Sequence, residues 1–152
     1  MAEDSIINDT MRNAIGIESE PVEYPVERWH IKRFAEAVGD TNPLYLDEAK
    51  ARKTRYGGVI APPTFYRAFF PKEPPVNVMQ EANLKRVLDG GSEWEFFEPI
   101  RPGDTISVTS KLGELNVKQG RAGQMLIVAV DHTYRNQYGV TTAVQRQNRI
   151  LY

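Results

Sequence analysis

The sequence predicts an α+β fold, in which helices come first and an antiparallel sheet follows. Three observations lead to this prediction. A helix-like apolar pattern covers residues 27–38, an aromatic-rich stretch follows two prolines at 62–63, and residues 92–151 alternate as strands do. We therefore expect a curled sheet that wraps around one buried central helix.

The first quarter of the chain contains an arm and a helix. Residues 1–20 are a polar lead-in with one short helical candidate, Ser5 to Ala14. Residues 20–26 alternate and carry two prolines, which favours an edge strand or an extended arm. The helix that starts at Glu27 has one apolar face, formed by Ile31, Phe34, Ala35 and Val38. Gly39 ends it, and residues 40–43 suit a turn.

Two further helices are predicted before the strands. Asp47–Arg55 is a short candidate with Asp47 as its N-cap. Residues 56–61 are loop or strand, and their two adjacent glycines allow close backbone approach or positive φ. The prolines at 62–63 suit the first turn of a helix, so Thr64–Phe70 is predicted as the buried central helix.

The rest of the chain is predicted to be an antiparallel meander. The candidate strands are 92–98, 105–112, 124–135 and 140–151, and the turns between them are 101–104, 120–123 and 136–139. The apolar run at 125–130 is long enough for a central strand. Trp94 and Phe96 share one strand face and are expected to pack beneath the central helix.

Composition excludes several classes of function. The chain has 152 residues, which suits one domain over residues 1–152, and a net charge of −1, which does not favour nucleic-acid binding. Cysteine is absent, so no disulfide or thiolate site can form. Two widely separated histidines argue against a metal site. No run suits a membrane span or a signal peptide, so we expect no membrane partner and a cytoplasmic location.

Three segments carry a family resemblance: residues 38–47, residues 56–65 and the strand-turn at 97–104. Together they resemble the MaoC-like (R)-specific enoyl-CoA hydratases and, more closely, the N-terminal half-domains of FAS1-type dehydratases. The resemblance covers about residue 21 to the C-terminus. It implies a hot-dog fold and syn addition of water across a trans-2-enoyl thioester, or the reverse reaction. The substrate would be carried as a coenzyme A or acyl-carrier thioester, with no cofactor.

The resemblance also assigns roles to individual positions. Asp40 matches the catalytic Asp of the Asp-x-Asn-Pro-x-His motif, but Tyr45 stands where the catalytic His is expected. A phenol with an ordinary pKa near 10 is a poor base. Pro62 and Pro63 replace a His-Gly pair whose glycine N–H would bind the thioester oxygen, and proline has no N–H. The Thr64 amide is the candidate replacement.

Further positions are predicted to contact the substrate. The resemblance places eight along the acyl thioester: Asn42, Pro43, Gly58, Ile60, Ala61, Pro63, Thr64 and Phe65. Lys53 and Arg55, in the basic run 50–55, either attract coenzyme A phosphates or form a solvated helix face. The aromatic residues of 65–70 either line an acyl tunnel or pack as core. His30 and His132 either reach Asp40 or are exposed or hydrogen-bonded elsewhere, which is the favoured interpretation.

Four functional hypotheses follow from the resemblance. Two hot-dog domains build each pocket in this family, so we expect a homodimer or a heterodimer with a second hot-dog subunit. The leading hypothesis is an acyl-thioester-binding subunit with an incomplete dyad. The second is a self-sufficient hydratase in which Asp40 works with Tyr45 or a nearby histidine. The others are a non-enzymatic acyl-CoA sensor or scaffold and a hot-dog thioesterase, although residues 62–70 contain no acid.

Overall fold

A computed structural model describes residues 6–121 and 123–152. Its framework is one antiparallel sheet of five strands in the order β1-β3-β4-β5-β2. The strands are β1 (Val22–Pro25), β2 (Val87–Phe96), β3 (Thr105–Gly120), β4 (Gly123–Arg135) and β5 (Thr141–Leu151). Three strands of the predicted meander, β3, β4 and β5, are neighbours as expected. The fourth, β2, pairs with β5 and not with β3, so it lies at the edge opposite β1, whose edge position was predicted. The α+β prediction is confirmed.

The central position predicted for residues 124–135 is confirmed, because β4 pairs with both β3 and β5. The predicted strand 105–112 continues to Gly120. A register irregularity between Leu112 and Leu115 resets the alternation there, which hides the continuation in the sequence. The predicted turn at 120–123 includes Ala122, which lies outside the described residues.

The predicted strand 92–98 starts earlier and ends earlier than expected. β2 begins at Val87, and its pairing with β5 is interrupted between Asp89 and Ser92. Gly91 there has φ +99°, a conformation that favours glycine. The two glycines between the paired segments broke the alternation on which the prediction depended.

The early helices are shorter than predicted. Helix α1 (Asp9–Ala14) begins after Asn8, whose side chain accepts the Met11 N–H; the predicted start at Ser5 lies outside the described residues. Helix α2 (Arg28–Ala37) buries Ile31 and Ala35 as expected. Val38 was predicted on the same buried face but is 55% exposed, because it is the C-cap and the helix has already ended.

The segment after α2 holds two one-turn helices. Asn42 caps α3 (Pro43–Leu46), which had been predicted only as a turn. Asp47 caps α4 (Glu48–Ala51), as predicted, by accepting the Lys50 N–H. The prediction that this helix reaches Arg55 was wrong. The Thr54 hydroxyl donates to the Ala51 carbonyl oxygen at 2.7 Å and helps to terminate it.

The central helix is a short 3₁₀ helix, Pro63–Ala68, and not the buried helix Thr64–Phe70 that was predicted. Phe65, Tyr66 and Phe69 are buried, but Phe70 is 72% exposed. The residue before a proline avoids helical geometry, so Pro71 forces the chain to leave the helix. The remaining cover of the sheet comes from residues 71–77 and from α5 (Val78–Glu81).

The hydrophobic core is divided into two clusters. The larger one joins the 3₁₀ helix and α2 to the first part of the sheet, and it includes Ile31, Phe65 and Ile106. Trp94 packs against it, and its ring centroid lies 6.0 Å from that of Tyr66, as predicted. The second cluster joins α1 and α5 to the far part of the sheet around Leu126. None of the described helices is long and apolar enough to cross a membrane.

Candidate functional site

The turn between α2 and α3 fixes the position of Asp40. Its backbone N–H donates to the Ala35 carbonyl oxygen at 2.9 Å, which closes the end of α2. One carboxylate oxygen, Oδ1, accepts the Asn42 N–H at 3.0 Å, and the Asn42 side chain in turn accepts the Leu44 N–H at 3.0 Å. The motif residues therefore order their own loop, and Asp40 remains half-buried with its second oxygen available.

Tyr45 packs at the border of the larger cluster, near enough to Asp40 for the carboxylate to affect its phenol electrostatically. Burial, the Asp40 carboxylate and Tyr56 together raise the pKa of the Tyr45 phenol above its usual 10.0. The phenol is therefore neutral at physiological pH and can donate a hydrogen bond. It cannot serve as a base for water there.

The two glycines have the roles expected from their type. Gly57 adopts φ +69°, whereas Gly58 lies close to Glu48: a Cβ added there would be 3.3 Å from Oε1. The other oxygen of Glu48 accepts the Val59 N–H at 3.2 Å. This carboxylate therefore holds the loop against α4.

The three segments that carry the family resemblance meet in space. The Ile60 N–H donates to the Leu44 carbonyl oxygen at 3.3 Å, and the Ala61 N–H donates to that of Ile100 at 2.8 Å. The Phe65 ring meets Phe34 of α2 edge-on, with 5.3 Å between centroids. The loop 56–62 is thus held between the Asp40 turn and the strand-turn at 97–104.

The start of the 3₁₀ helix offers one backbone donor. The Phe65 N–H donates to the Pro62 carbonyl oxygen at 2.8 Å, and Pro63 has no N–H. Among the residues that the structure describes, the Thr64 N–H donates to no protein acceptor. This amide is exposed at the helix start and can bind an oxygen that carries developing negative charge.

A cavity of about 300 Å³ adjoins this loop. It brings together four of the predicted contacts, namely Arg55, Ile60, Ala61 and Pro63, with Tyr56 and Tyr66 beside them. Eight other predicted positions do not line it: Asp40, Asn42, Pro43, Tyr45, Lys53, Gly58, Thr64 and Phe65. The first four of these lie on the adjoining turn, and Phe65 is buried in the core.

Of the two basic residues predicted to bind phosphate, Arg55 lines this cavity and Lys53 does not. The Arg55 guanidinium lies 4.8 Å above the Tyr56 ring and donates to the Tyr56 hydroxyl at 2.7 Å. Lys53 is exposed two residues earlier. Arg101 donates to the Tyr56 carbonyl oxygen at 2.6 Å and fixes the loop that carries this pair.

Both histidines are hydrogen-bonded away from Asp40. His30 belongs to the N-terminal cap of α2, where its Nδ1 accepts the Glu27 N–H at 3.1 Å. His132 is buried in β4, with Nδ1 2.7 Å from the Ser110 hydroxyl. In the ranges 6–121 and 123–152, no three His, Asp or Glu residues cluster as a metal site would require.

A larger cavity, which the sequence analysis missed, lies between the sheet and residues 73–79. Its volume is about 470 Å³, and its wall is shared between residues 73–79 and strands β3, β4 and β5. A smaller cavity of about 190 Å³ shares Glu73, Gln147 and Arg149 with it. The signal in the sequence was the continuous polar run 145–149, because a strand with five successive polar residues must place some of them on its inner face.

The chain is similar to known proteins in both its sequence and its fold. The family described as "FAS1-like, dehydratase domain region" matches residues 13–145. A UPF0336 protein of Streptomyces avermitilis is 40% identical over 101 residues, covering 64% of this chain and 67% of that protein. A probable enoyl-CoA hydratase alpha subunit of Thermomonospora curvata is 34% identical over 144 residues, covering 84% of this chain. The chain spans only 44% of that relative's length.

Two solved structures share the fold. The ChsH1-ChsH2 complex from Mycobacterium tuberculosis aligns with a TM-score of 0.77 and 23% identity, covering 89% of this chain and 84% of that chain. A MaoC-like dehydratase from Rhodospirillum rubrum aligns with a TM-score of 0.68 and 22% identity, covering 91% and 92%. These likenesses confirm the predicted hot-dog fold.

Proposed function

Because the chain belongs to the FAS1-like dehydratase family, within the MaoC-like hot-dog proteins, we propose that it is an acyl-thioester-binding subunit of a hydratase or dehydratase. In this proposal a partner subunit supplies the complete catalytic dyad. The observation that carries the proposal is the neutral phenol of Tyr45 near Asp40.

The chemistry explains why this phenol matters. Hydration needs one group that takes a proton from water while a proton reaches the carbon next to the carbonyl. Tyr45 cannot take that proton at neutral pH, and both histidines are engaged elsewhere. Asp40 alone supplies one carboxylate. Tyr45 and Asp40 are therefore suited to hold a water or a substrate oxygen in place.

The remaining features suit thioester binding. In this proposal the Thr64 N–H binds the thioester oxygen, and Arg55 at the 300 Å³ cavity, together with the exposed Lys53, binds a coenzyme A or acyl-carrier phosphate. The larger cavity offers about 470 Å³ for the acyl group, within the range of small-molecule sites. The proposal requires no further cofactor.

The partner in this proposal is a second hot-dog subunit that carries an intact Asp-x-Asn-Pro-x-His motif. β2 is an edge strand, and its ends expose Val87, Leu88, Phe96 and the following Phe97. An exposed apolar edge favours pairing with another strand. The T. curvata relative is named an alpha subunit, and the M. tuberculosis structure is a complex of two proteins, which supports a heteromer over a homodimer.

The test compares the purified chain with the chain co-purified with such a partner, using crotonyl-CoA hydration. We expect the chain alone to bind acyl-CoA without hydrating it, and the complex to hydrate it. Hydration by the chain alone at an ordinary enzymatic rate would exclude the subunit proposal. If Asp40→Asn then abolished that rate, the chain would be a self-sufficient hydratase. Binding without turnover in every partner mixture would indicate a sensor or scaffold.

A further inference from the structure

The inner face of β5 carries an unusual run of polar side chains. Gln145, Gln147 and Arg149 occupy three successive inward positions, and Ala143 and Leu151 flank them. On β4, His132 pairs with Gln145 in register and lines the same inner face. These residues separate the two hydrophobic clusters. We call this group, His132 with Gln145, Gln147 and Arg149, the polar belt.

The side chains of the polar belt form two separate hydrogen-bonded groups, one with His132, Gln147 and Arg149 and one around Gln145. His132 bonds to Ser110 and to the Gln147 side chain, and the Arg149 Nε donates to the Gln147 Oε1 at 3.3 Å. Gln145 accepts from the Tyr134 hydroxyl at 3.3 Å and donates to the Ser92 hydroxyl at 3.1 Å. Each carboxamide has two donors and further acceptor capacity, so the two groups leave hydrogen-bonding positions open.

These open positions face the cavities. Gln147 and Arg149 line both the 470 Å³ and the 190 Å³ cavity, and Gln145 and His132 line the smaller one. Elsewhere the larger cavity is walled mainly by apolar side chains such as Leu112, Val128 and Val130. Hydrogen bonds within the protein offset the cost of burying these side chains, and their remaining donors can bind an oxygen of a ligand. A ligand that fits here has an apolar body with hydrogen-bonding atoms at the level of the polar belt.

The charges at the polar belt determine whether the polar group of a ligand bound there can be charged. Arg149 is already neutralised, because its guanidinium makes two bonds to the Glu73 carboxylate, at 2.6 and 3.2 Å. Burial lowers the pKa of His132, so its ring is neutral at physiological pH. Arg67, the other cation on the lining of the smaller cavity, is exposed. A carboxylate at the shared wall would have to displace Glu73.

From this arrangement, and resting on the proposed function, we infer that the polar belt selects acyl groups with an uncharged oxygen function. The site takes a thioester whose apolar acyl group carries a ketone or hydroxyl within the chain, bound by Gln147 and its neighbours. A plain alkyl acyl group fills the same space but leaves the belt's hydrogen-bonding positions unused.

The test is a calorimetric titration of the full chain, in its complex if a partner is required, with matched acyl-CoA thioesters. The probes are decanoyl-CoA, a set of oxodecanoyl-CoA isomers with the ketone at successive positions, and the mono-CoA thioester of decanedioic acid. We expect at least one oxo isomer to bind about fivefold more tightly than decanoyl-CoA, as one added hydrogen bond allows. Gln147→Leu should remove that preference and retain decanoyl-CoA binding.

The control is Gln124→Leu, the same change at an exposed position of β4, which should keep the preference. Gln147→Met repeats the test if the leucine variant does not fold. Equal binding of decanoyl-CoA and every oxo isomer, or a preference that survives loss of Gln147, overturns the inference and leaves the proposed function intact. If the mono-CoA thioester of decanedioic acid binds most tightly, the inference that the site selects an uncharged oxygen function is wrong. Failure of every thioester to bind overturns the proposed function itself.

Discussion

The Ile60 backbone N–H donates to the Leu44 carbonyl oxygen at 3.3 Å, so the loop before the 3₁₀ helix is tied to the residue next to Tyr45. This bond depends on backbone atoms alone. A substitution at position 45 therefore leaves intact the link between the Asp40 turn and the loop that carries Thr64. Residue 45 can therefore be substituted without loss of this backbone hydrogen bond.

Tyr45→His should create hydratase activity. An imidazole with an ordinary pKa near 6.5 is a base at neutral pH, and a positioned base contributes about 10²–10⁴-fold in favourable cases. We expect crotonyl-CoA hydration by the variant chain to exceed that of the unmodified chain by about tenfold or more. Adding Asp40→Asn should remove the gain, and Tyr45→Phe should give none. A folded Tyr45→His variant without any gain would mean that residue 45 is not what limits the reaction.

Arg55→Gln and Lys53→Gln should each weaken binding of acyl-CoA by about three- to tenfold, because each removes a charge near the path of the phosphates. Binding of the corresponding acyl-pantetheine thioester, which has no phosphate, should be unchanged. Titrations at low and moderate salt provide the measurement. Arg33→Gln and Lys118→Gln are matched exposed controls, and an equal effect from them would show that only the overall charge matters.

Stability should fall at alkaline pH because of Tyr66. Burial raises the pKa of this phenol from 10.0 to about 12. The folded chain holds the proton more tightly than the unfolded chain, so the stabilisation is complete below pH 10 and is lost as the pH rises to about 12. The loss corresponds to about 2–3 kcal/mol.

Urea unfolding at about pH 8 and about pH 11.5 measures this loss, and Tyr66→Phe should reduce it. The substitution keeps the ring that packs 4.9 Å from Tyr134 between centroids. Burial also raises the pKa of Tyr134. Part of the loss of stability at alkaline pH should therefore remain in the Tyr66→Phe chain. An unchanged alkaline loss in the Tyr66→Phe chain would assign it to other groups.

Gly57→Ala should lower the free energy of unfolding by about 1–2 kcal/mol, because φ +69° is unfavourable for a residue with a Cβ. No atom lies within 4 Å of the added Cβ, so the cost is conformational and not steric. Gly57→Asn should cost less, since asparagine tolerates this region better. Equal costs for alanine and asparagine, measured by urea unfolding, would argue against a backbone origin.

The sequence predicted those elements whose pattern is long and regular. Helix α2 and strand β4 were recognised because each presents a sustained apolar face or run. The central helix was predicted too long because its aromatic residues fit either a 3₁₀ or an α geometry, and the effect of Pro71 on Phe70 was overlooked. The end of β3 was missed because the irregularity at residues 112–115 reverses which residues face inward.

The sequence predicted which segments form the candidate site, but not which of their side chains line the cavity. The three segments do meet, through the backbone bonds of Ile60 and Ala61. Which side chains face the cavity depends on one-turn helices whose orientation no local pattern reveals, so Gly58 and Thr64 proved not to line it. The polar belt was not predicted because residues 145–149 are all polar, so the sequence does not reveal which of them face inward.

The cover of the larger cavity has a consequence for how this protein can change. Among the described residues, positions 71–76 take part in no backbone–backbone hydrogen bond, and Glu73 anchors them to the sheet through Arg149. Insertions, deletions or grafts between Pro71 and Val76 therefore leave every strand register untouched. The dimensions of the larger cavity can be changed there without altering the sheet, so under the proposed function this short segment is the place at which to change the acyl group that is bound.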